Sequence, residues 1–295
     1  MVEIVWPGGL PDDKRALLDE LLDALRVVRG LRAVALGGSY ARGTERPGSD
    51  VDIGLYYEEQ RPFGIDAVRR VAERIATSTP VVTDFYQWGP WVNGGAWIPT
   101  RAGKVDFLYR NLDQLRRVIA DAHRGKVELH FQQQPPFGFY SVIYLAEIQA
   151  ALPLYDPQDV LAPLKRAVAS YPAALKQTIV GDYLWGVEFT LLFARDFAAR
   201  ADAYGTVGCL ARALSYLTQV LYALNEMYFS SDKGVLEAIT TFPKRPPAYA
   251  ERVQSILARP GTNAAELSET VAALTALFRD VVGLAGSLYR PKFTL

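Results

Sequence analysis

This 295-residue chain has one cysteine, two histidines and no surplus of charge of either sign, 32 basic side chains standing against 32 acidic ones. A single thiol, Cys209, excludes an internal disulfide and a cysteine-rich zinc site, and its place in an apolar helical stretch reads as inert packing. His123 and His130 lack metal-ligand spacing and read as structural. Charge balance counts against a dedicated binder of long nucleic acid, which shows a basic excess, although it leaves room for a local basic patch. There is no signal-peptide pattern at the start and no uninterrupted apolar run long enough to span a bilayer, so the expected location is the cytoplasm, with no membrane partner. What is present, 50% hydrophobic and 22% charged, is ordinary for a globular chain of one large or two medium domains.

Organisation changes along the chain. After an amphipathic segment from Lys14 to Arg29, strands and turns alternate to about Asn111, whereas residues from roughly Val142 onward read almost wholly as helices. The prolines of Gln132-Gln133-Gln134-Pro135-Pro136-Phe137-Gly138 stop a helix and expose a polar connector. The expected fold class is α+β: a small mixed-sheet domain over residues 1–131 followed by an all-helical domain over residues 132–295. Oligomeric state does not follow from these patterns.

The most informative segment runs from Gly37 to Asp52. Ala33-Val34-Ala35-Leu36 is a short apolar run that enters Gly37-Gly38-Ser39, so it reads as a buried strand followed by a tight turn, whose exposed amides suit phosphate. Val51 to Tyr57 reads as a second strand. Side chains alternate along a strand, so Asp50 and Asp52 share a face while Val51 points to the core. Two adjacent carboxylates repel unless a cation lies between them, and hard oxygen ligands of this kind suit Mg²⁺.

Gly38-Ser39-x-Ala41-Arg42-Gly43 with Ser49-Asp50-x-Asp52 resembles the signature of the DNA polymerase beta-like nucleotidyltransferase superfamily, in particular its minimal and antibiotic-modifying members. The resemblance is specific over Leu36 to Leu55 and extends more weakly to about Arg110. It implies a third carboxylate on a neighbouring strand. Lys104-Val105-Asp106-Phe107-Leu108-Tyr109-Arg110 supplies one, alternating Val105, Phe107 and Tyr109 with Asp106, Leu108 and Arg110. The resemblance further implies that Asp50, Asp52 and Asp106 are catalytic and hold two Mg²⁺ ions, with Asp106 helping to deprotonate the attacking hydroxyl. ATP or another nucleoside triphosphate would be the donor and pyrophosphate the leaving product.

Around this centre several residues have two readings. Gly38 and Ser39 belong to the nucleotide-binding turn; Ser39 donates to a phosphate or caps a helix. Arg42 and Arg46 neutralise the triphosphate, or Arg42 pairs with a nearby aspartate. By analogy with the superfamily, the helical domain completes the nucleotide pocket through an aromatic ring and a lysine, for which Tyr216 and Lys233 are the candidates. Leu210, Leu214, Leu217, Leu221, Leu224 and Tyr228 form one helical stripe, and Tyr216 lies opposite with Arg212, Ser215, Gln219, Tyr222 and Glu226, a face that also reads as plain solvent surface. Glu147 and Glu188 stand in apolar helical contexts, where a carboxylate is costly unless paired or facing a cleft. They bind or activate an acceptor, as related antibiotic-modifying enzymes do, or they pair with an arginine such as Arg195 or Arg212. Trp88 and Trp91, in a Gly/Pro-rich aromatic stretch that also holds Phe85, Tyr86 and Trp97, form a substrate wall or fold over the core.

The leading functional reading is transfer of AMP, or another NMP, to a hydroxyl of an aminoglycoside-like small molecule. The alternatives are a toxin-like enzyme that modifies tRNA or protein, and a non-catalytic nucleotide-binding module.

Overall fold

The computed structural model describes residues 9–295. In chain order it contains α1 (Asp12–Leu25), β1 (Leu31–Leu36), α2 (Gly38–Arg42), β2 (Val51–Tyr57), α3 (Ile65–Ile75), β3 (Val81–Val82), β4 (Gly95–Thr100), β5 (Gly103–Asn111) and α4 (Leu112–His123). The short strands β6 (Leu129–His130) and β7 (Phe139–Tyr140) follow, then α5 (Val142–Ala150), β8 (Leu152–Tyr155) and α6 (Leu161–Ala167). The remaining helices are α7 (Ala173–Ala199), α8 (Ala203–Leu224), α9 (Val235–Thr240), α10 (Tyr249–Ala258) and α11 (Ala264–Ala285). The fold is thus a mixed sheet in the N-terminal part and a helical C-terminal region.

Two compact units divide the chain. The first holds the described residues up to Ala120, together with His130–Gln134 and Tyr144–Ala169; the second holds Asp121–Leu129, Pro135–Ile143 and Ser170–Leu295. A single cut between 131 and 132 therefore does not separate them. The reason is β8, which lies within the stretch read from sequence as helical and pairs antiparallel with β1, placing Pro153 opposite Ala35 and Leu152 opposite Leu36. Four residues with one proline carry too little periodicity to announce a strand.

The first unit is built on a six-stranded sheet in the order β3-β4-β5-β2-β1-β8. Its centre is the parallel pair β2 and β5, in register from Val51 opposite Val105 to Tyr57 opposite Asn111. Alternation sends Val51, Ile53 and Leu55, with Val105, Phe107 and Tyr109, into a core against Leu17, Leu18, Leu21, Leu22 and Leu25 of α1 and Val68, Val71 and Ile75 of α3. The leucines of α1 recur three or four residues apart, which gives the helix one apolar stripe to bury. With Asp12 and Asp13 in its first turn, α1 also places carboxylates at the positive end of its dipole. Burying one face of β2 and β5 leaves the other for Asp52, Gly54 and Tyr56 and for Asp106, Leu108 and Arg110.

In the second unit α7, α8 and α11 pack against one another. Asp202 caps α8 by accepting from the Gly205 amide at 2.9 Å, and Asn263 caps α11 through the Ala265 and Glu266 amides. The face of α8 opposite its leucines is not solvent surface: Ser215, Gln219 and Tyr222 are all buried. With helices on more than one side, α8 keeps its wet face only in its first half, at Tyr204, Val207 and Arg212, whereas from Ala213 to Leu224 every residue but Tyr216 is buried and the polar side chains turn inward; Thr218 Oγ1, for instance, donates to the Leu214 carbonyl at 3.0 Å. Tyr228 falls beyond the end of α8. The expectation that no stretch is apolar enough for a bilayer is also corrected, since Ala203–Leu224 and Ala264–Leu288 are long and apolar enough by composition. In this structure they are packed helices of the unit.

Candidate active site

The turn between β1 and α2 determines what can stand beside Asp52. Gly37 donates its amide to the Asp52 carbonyl at 2.8 Å, which ties the turn to the first residues of β2. At Gly38, φ is +60°, and a Cβ built there would lie 1.7 Å from Asp52 Oδ2. Only glycine allows this carboxylate to lie against the turn. Ser39 is half-buried inside the first turn of α2, whose capping position is Gly37 and has no side-chain bond; Ser39 is therefore not the helix cap. The short helix ends at Gly43 in the left-handed conformation, with the Thr44 amide bonded to the Ser39 carbonyl at 3.0 Å.

The three predicted aspartates come together. Asp52 and Asp106 are directly opposite each other in the β2–β5 register, and Asp50 precedes Asp52 by one strand period on the same face. Burial first, then the charges of Asp106, Glu147 and Asp50, push the Asp52 carboxyl up to about 6, while Arg42 pulls it back. Lys104, two residues before Asp106 and on its face, bridges the row: its Nζ lies 2.8 Å from Asp106 Oδ2 and 3.3 Å from Asp50 Oδ2. Desolvation lowers the Lys104 pKa, but the bonds and charges of Asp106 and Asp50 outweigh it and raise the value overall. A cation is thus already seated among these oxygens. Among the described residues, no three carboxylate, imidazole or thiol groups converge as a ready-made metal cage. The donor set nevertheless suits Mg²⁺, being all oxygen, strongly anionic and partly open, with the side-chain space at Gly38 given over to Asp52.

Lys14 supports the row from behind. Its buried Nζ donates to the Ala102 carbonyl at 2.7 Å and the Ser49 carbonyl at 3.3 Å, fixing the residue before Asp50 and the β4–β5 turn together. Arg42 and Arg46 are exposed, and the Arg46 amide donates to Ser49 Oγ at 2.9 Å.

The acceptor candidates fare differently. Glu147, from the part of α5 in the first unit, accepts two bonds from Arg110, Nε at 2.7 Å and Nη2 at 2.8 Å. Its partner is therefore neither Arg195 nor Arg212, and it is a positioned carboxylate whose charge reaches Asp52. Glu188 is fully buried and accepts from Tyr289 Oη, from the Lys292 amide at 2.8 Å and from the Phe293 amide at 2.6 Å. It anchors the C-terminal segment and has no free face for an acceptor. Trp91 is also core, only 2% exposed, with its ring against His130 and Tyr144. Trp88 is half-buried and stacks on Trp97 at 4.9 Å.

Trp97 is the residue the sequence reading passed over. It is 47% exposed, pairs with Asp106 across the β4–β5 hairpin and therefore shares the aspartate face, with Lys104 Nζ 5.9 Å from its ring. The hairpin register was the available signal: once Arg101 and Ala102 are read as a two-residue turn, Thr100 faces Gly103 and Trp97 faces Asp106. Tyr216 and Lys233 belong to the second unit. Tyr216 stacks on Tyr183 at 5.0 Å under Arg212, and Lys233 is exposed in its turn.

Three carboxylates on adjacent strands beside a turn where only glycine fits are the framework of an enzyme that transfers nucleotidyl groups. Residues 18–132 match the family model described as a nucleotidyltransferase domain, so this part of the chain is a domain of that kind. Among solved structures, a nucleotidyltransferase-like protein from Exiguobacterium sibiricum 255-15 aligns over 93% of this chain and 76% of its own, at 11% identity and a TM-score of 0.45. No curated protein matches the sequence.

Proposed function

We propose that the chain transfers a nucleoside monophosphate, with AMP the group expected, from a nucleoside triphosphate to a hydroxyl of a small-molecule acceptor of the aminoglycoside type. The observation that carries this reading is the row of Asp50, Asp52 and Asp106, in which Asp52 and Asp106 pair in the β2–β5 register and Asp50 and Asp106 both bind the Lys104 ammonium. Two Mg²⁺ ions bound to these carboxylates would supply charge neutralisation for the triphosphate and for the departing pyrophosphate. Asp106 would accept the proton of the attacking hydroxyl. That oxygen forms a bond to the α-phosphorus as the bond from the α-phosphorus to the bridging oxygen breaks, and pyrophosphate leaves with the electron pair. Gly38 and Ser39, with Arg42 and Arg46 at the exposed edge of the same turn, are assigned to the phosphates.

The exposed Trp97, backed by Trp88, supports a compact ring-bearing acceptor, and the Arg110-held Glu147, whose charge reaches Asp52, supports cationic groups on it. Overall charge balance agrees with this choice over a long polyanion. The cytoplasm, with its ATP and Mg²⁺, is the proposed location.

Incubation with each α-labelled triphosphate, Mg²⁺ and panels of aminoglycosides, tRNAs and proteins, followed by mass analysis, tests the reading. An NMP adduct on an aminoglycoside, lost in Asp50→Asn and Asp106→Asn, is expected. Adducts on tRNA or protein alone refute the small-molecule acceptor, and transfer by Asp50→Asn at the wild-type rate refutes the carboxylate mechanism.

A further inference from the structure

The second unit contains a pocket of about 630 Å³ whose walls include Tyr183, Trp185, Tyr216, Arg212, Arg290 and Lys292. Its construction is specific. Gly186 of α7 has no side chain where a Cβ would lie 2.8 Å from the Tyr216 ring, so that ring lies across the helix and stacks on Tyr183 with an interplanar angle of 20°. The Arg212 guanidinium lies 5.4 Å from the Tyr216 ring centre, and Lys292 Nζ lies 5.9 Å from that of Trp185. None of Arg212, Arg290 and Lys292 has a carboxylate within ion-pair distance among the described residues, and Asp182 is the one acidic side chain in the lining.

The wall that carries Arg290 and Lys292 is held by Glu188. This fully buried carboxylate, in a helix that otherwise buries apolar groups, commits both oxygens to Tyr289 Oη and to the amides of Lys292 and Phe293. A buried charge of this kind is costly, and its effect is to fix two cationic side chains opposite the tyrosine stack. We propose that this pocket binds a phosphate-bearing nucleotide, with the base against the Tyr216 and Trp185 rings and the phosphates on Arg290, Lys292 and Arg212. Flat rings are sequence-tolerant stacking surfaces, and guanidinium groups offer paired donors to phosphate oxygens. The inference stands on the second unit's own geometry and does not require the transfer reaction.

The test is equilibrium binding of ATP and of inorganic pyrophosphate to the full chain in EDTA, where metal-assisted binding at Asp50, Asp52 and Asp106 is suppressed. Calorimetry and quenching of tryptophan fluorescence provide the readouts. Wild type is expected to bind both ligands, ATP more tightly. Arg290→Ala with Lys292→Ala, two exposed side chains, should weaken both by roughly tenfold or more per lost charge-assisted contact. Tyr216→Ala should weaken ATP and leave pyrophosphate nearly unchanged, while Asp52→Asn with Asp106→Asn should alter neither. Absence of binding in EDTA, or affinities that follow the aspartates instead of Arg290 and Lys292, overturns the proposal. The same titration with Mg²⁺ and a non-hydrolysable ATP analogue should show two sites per chain, one weakened only by the aspartate variants and one only by the Arg290 and Lys292 variants; a single site overturns the proposal of a separate nucleotide site. Transfer assays on the same proteins report on the carboxylate mechanism independently.

Discussion

Replacing Gly38 by alanine tests whether the turn is built around the Asp52 carboxylate. The new Cβ would lie 1.7 Å from Oδ2 and 2.6 Å from Cγ, against an ordinary contact of at least 3.4 Å, so the carboxylate has to retreat by about 3.4 − 1.7 = 1.7 Å or the turn has to open. A misplacement of roughly 1 Å in a reacting constellation costs on the order of a hundredfold in rate, so kcat should fall by about a hundredfold or more. Alanine at φ +60° also carries about 1–2 kcal/mol of left-handed strain. Gly43 separates the two effects, because its φ of +65° imposes the same strain while nothing lies within 4 Å of its Cβ position. Pyrophosphate release at saturating Mg-ATP and acceptor, measured beside thermal unfolding, should show both variants less stable and only Gly38→Ala with its kcat reduced to that extent. Full turnover by Gly38→Ala, or equal losses of kcat in the two variants, would refute the close approach as the reason for glycine.

Three further outcomes are expected. In metal-free protein the Asp52 carboxyl, raised to about 6 from an ordinary 3.8, keeps its proton longer when folded than when unfolded. Stability should therefore be greatest below pH 4 with respect to this group and decline as pH rises to about 6, by up to about 3 kcal/mol; denaturant titrations across that window should lose this component in Asp52→Asn. Glu188→Ala removes the acceptor for Tyr289, Lys292 and Phe293, at a cost of about 1.5–3 kcal/mol. Hydrogen exchange at residues 289–293 should accelerate, and unchanged protection there would contradict the anchoring role. Glu147→Ala leaves the 4%-exposed Arg110 without its carboxylate and should destabilise by about 3 kcal/mol. Adding Arg110→Met should recover part of that loss in a double-mutant cycle, and strict additivity of the two changes would count against the pair.

The aspartate row was legible because its signals are local. A glycine turn, an Asp-x-Asp strand and a third alternating strand each reveal themselves over a handful of residues, and alternation alone places the three carboxylates on one side. Lys104 was legible by the same rule, as it shares the Asp106 face, yet it was read only as the start of a strand. What stayed hidden depends on contacts between distant residues. Trp91 and Trp97 have similar local contexts, and only the pairing of β4 with β5 exposes one while the packing of α5 covers the other. Glu188 looks like an acceptor ligand until the chain returns more than a hundred residues later to occupy both of its oxygens. Arg110 was assigned correctly to the polar face of β5, but its meeting with Glu147 required the position of α5, which periodicity cannot supply.

The late arrival of β8 bears on how the six-stranded sheet can be excised or exchanged. A fragment ending at residue 131 would keep Asp50, Asp52 and Asp106 and yet leave the outer edge of β1 bare, a row of open backbone donors and acceptors along one of the most apolar strands in the chain. Such an edge recruits other copies. Extending the fragment to residue 169 closes it with a strand that carries Pro153, which has no amide to offer a further neighbour. The shortest fragment that keeps the sheet's edge covered is therefore set by where the sheet stops being sticky, some forty residues after the strand of Asp106 has ended.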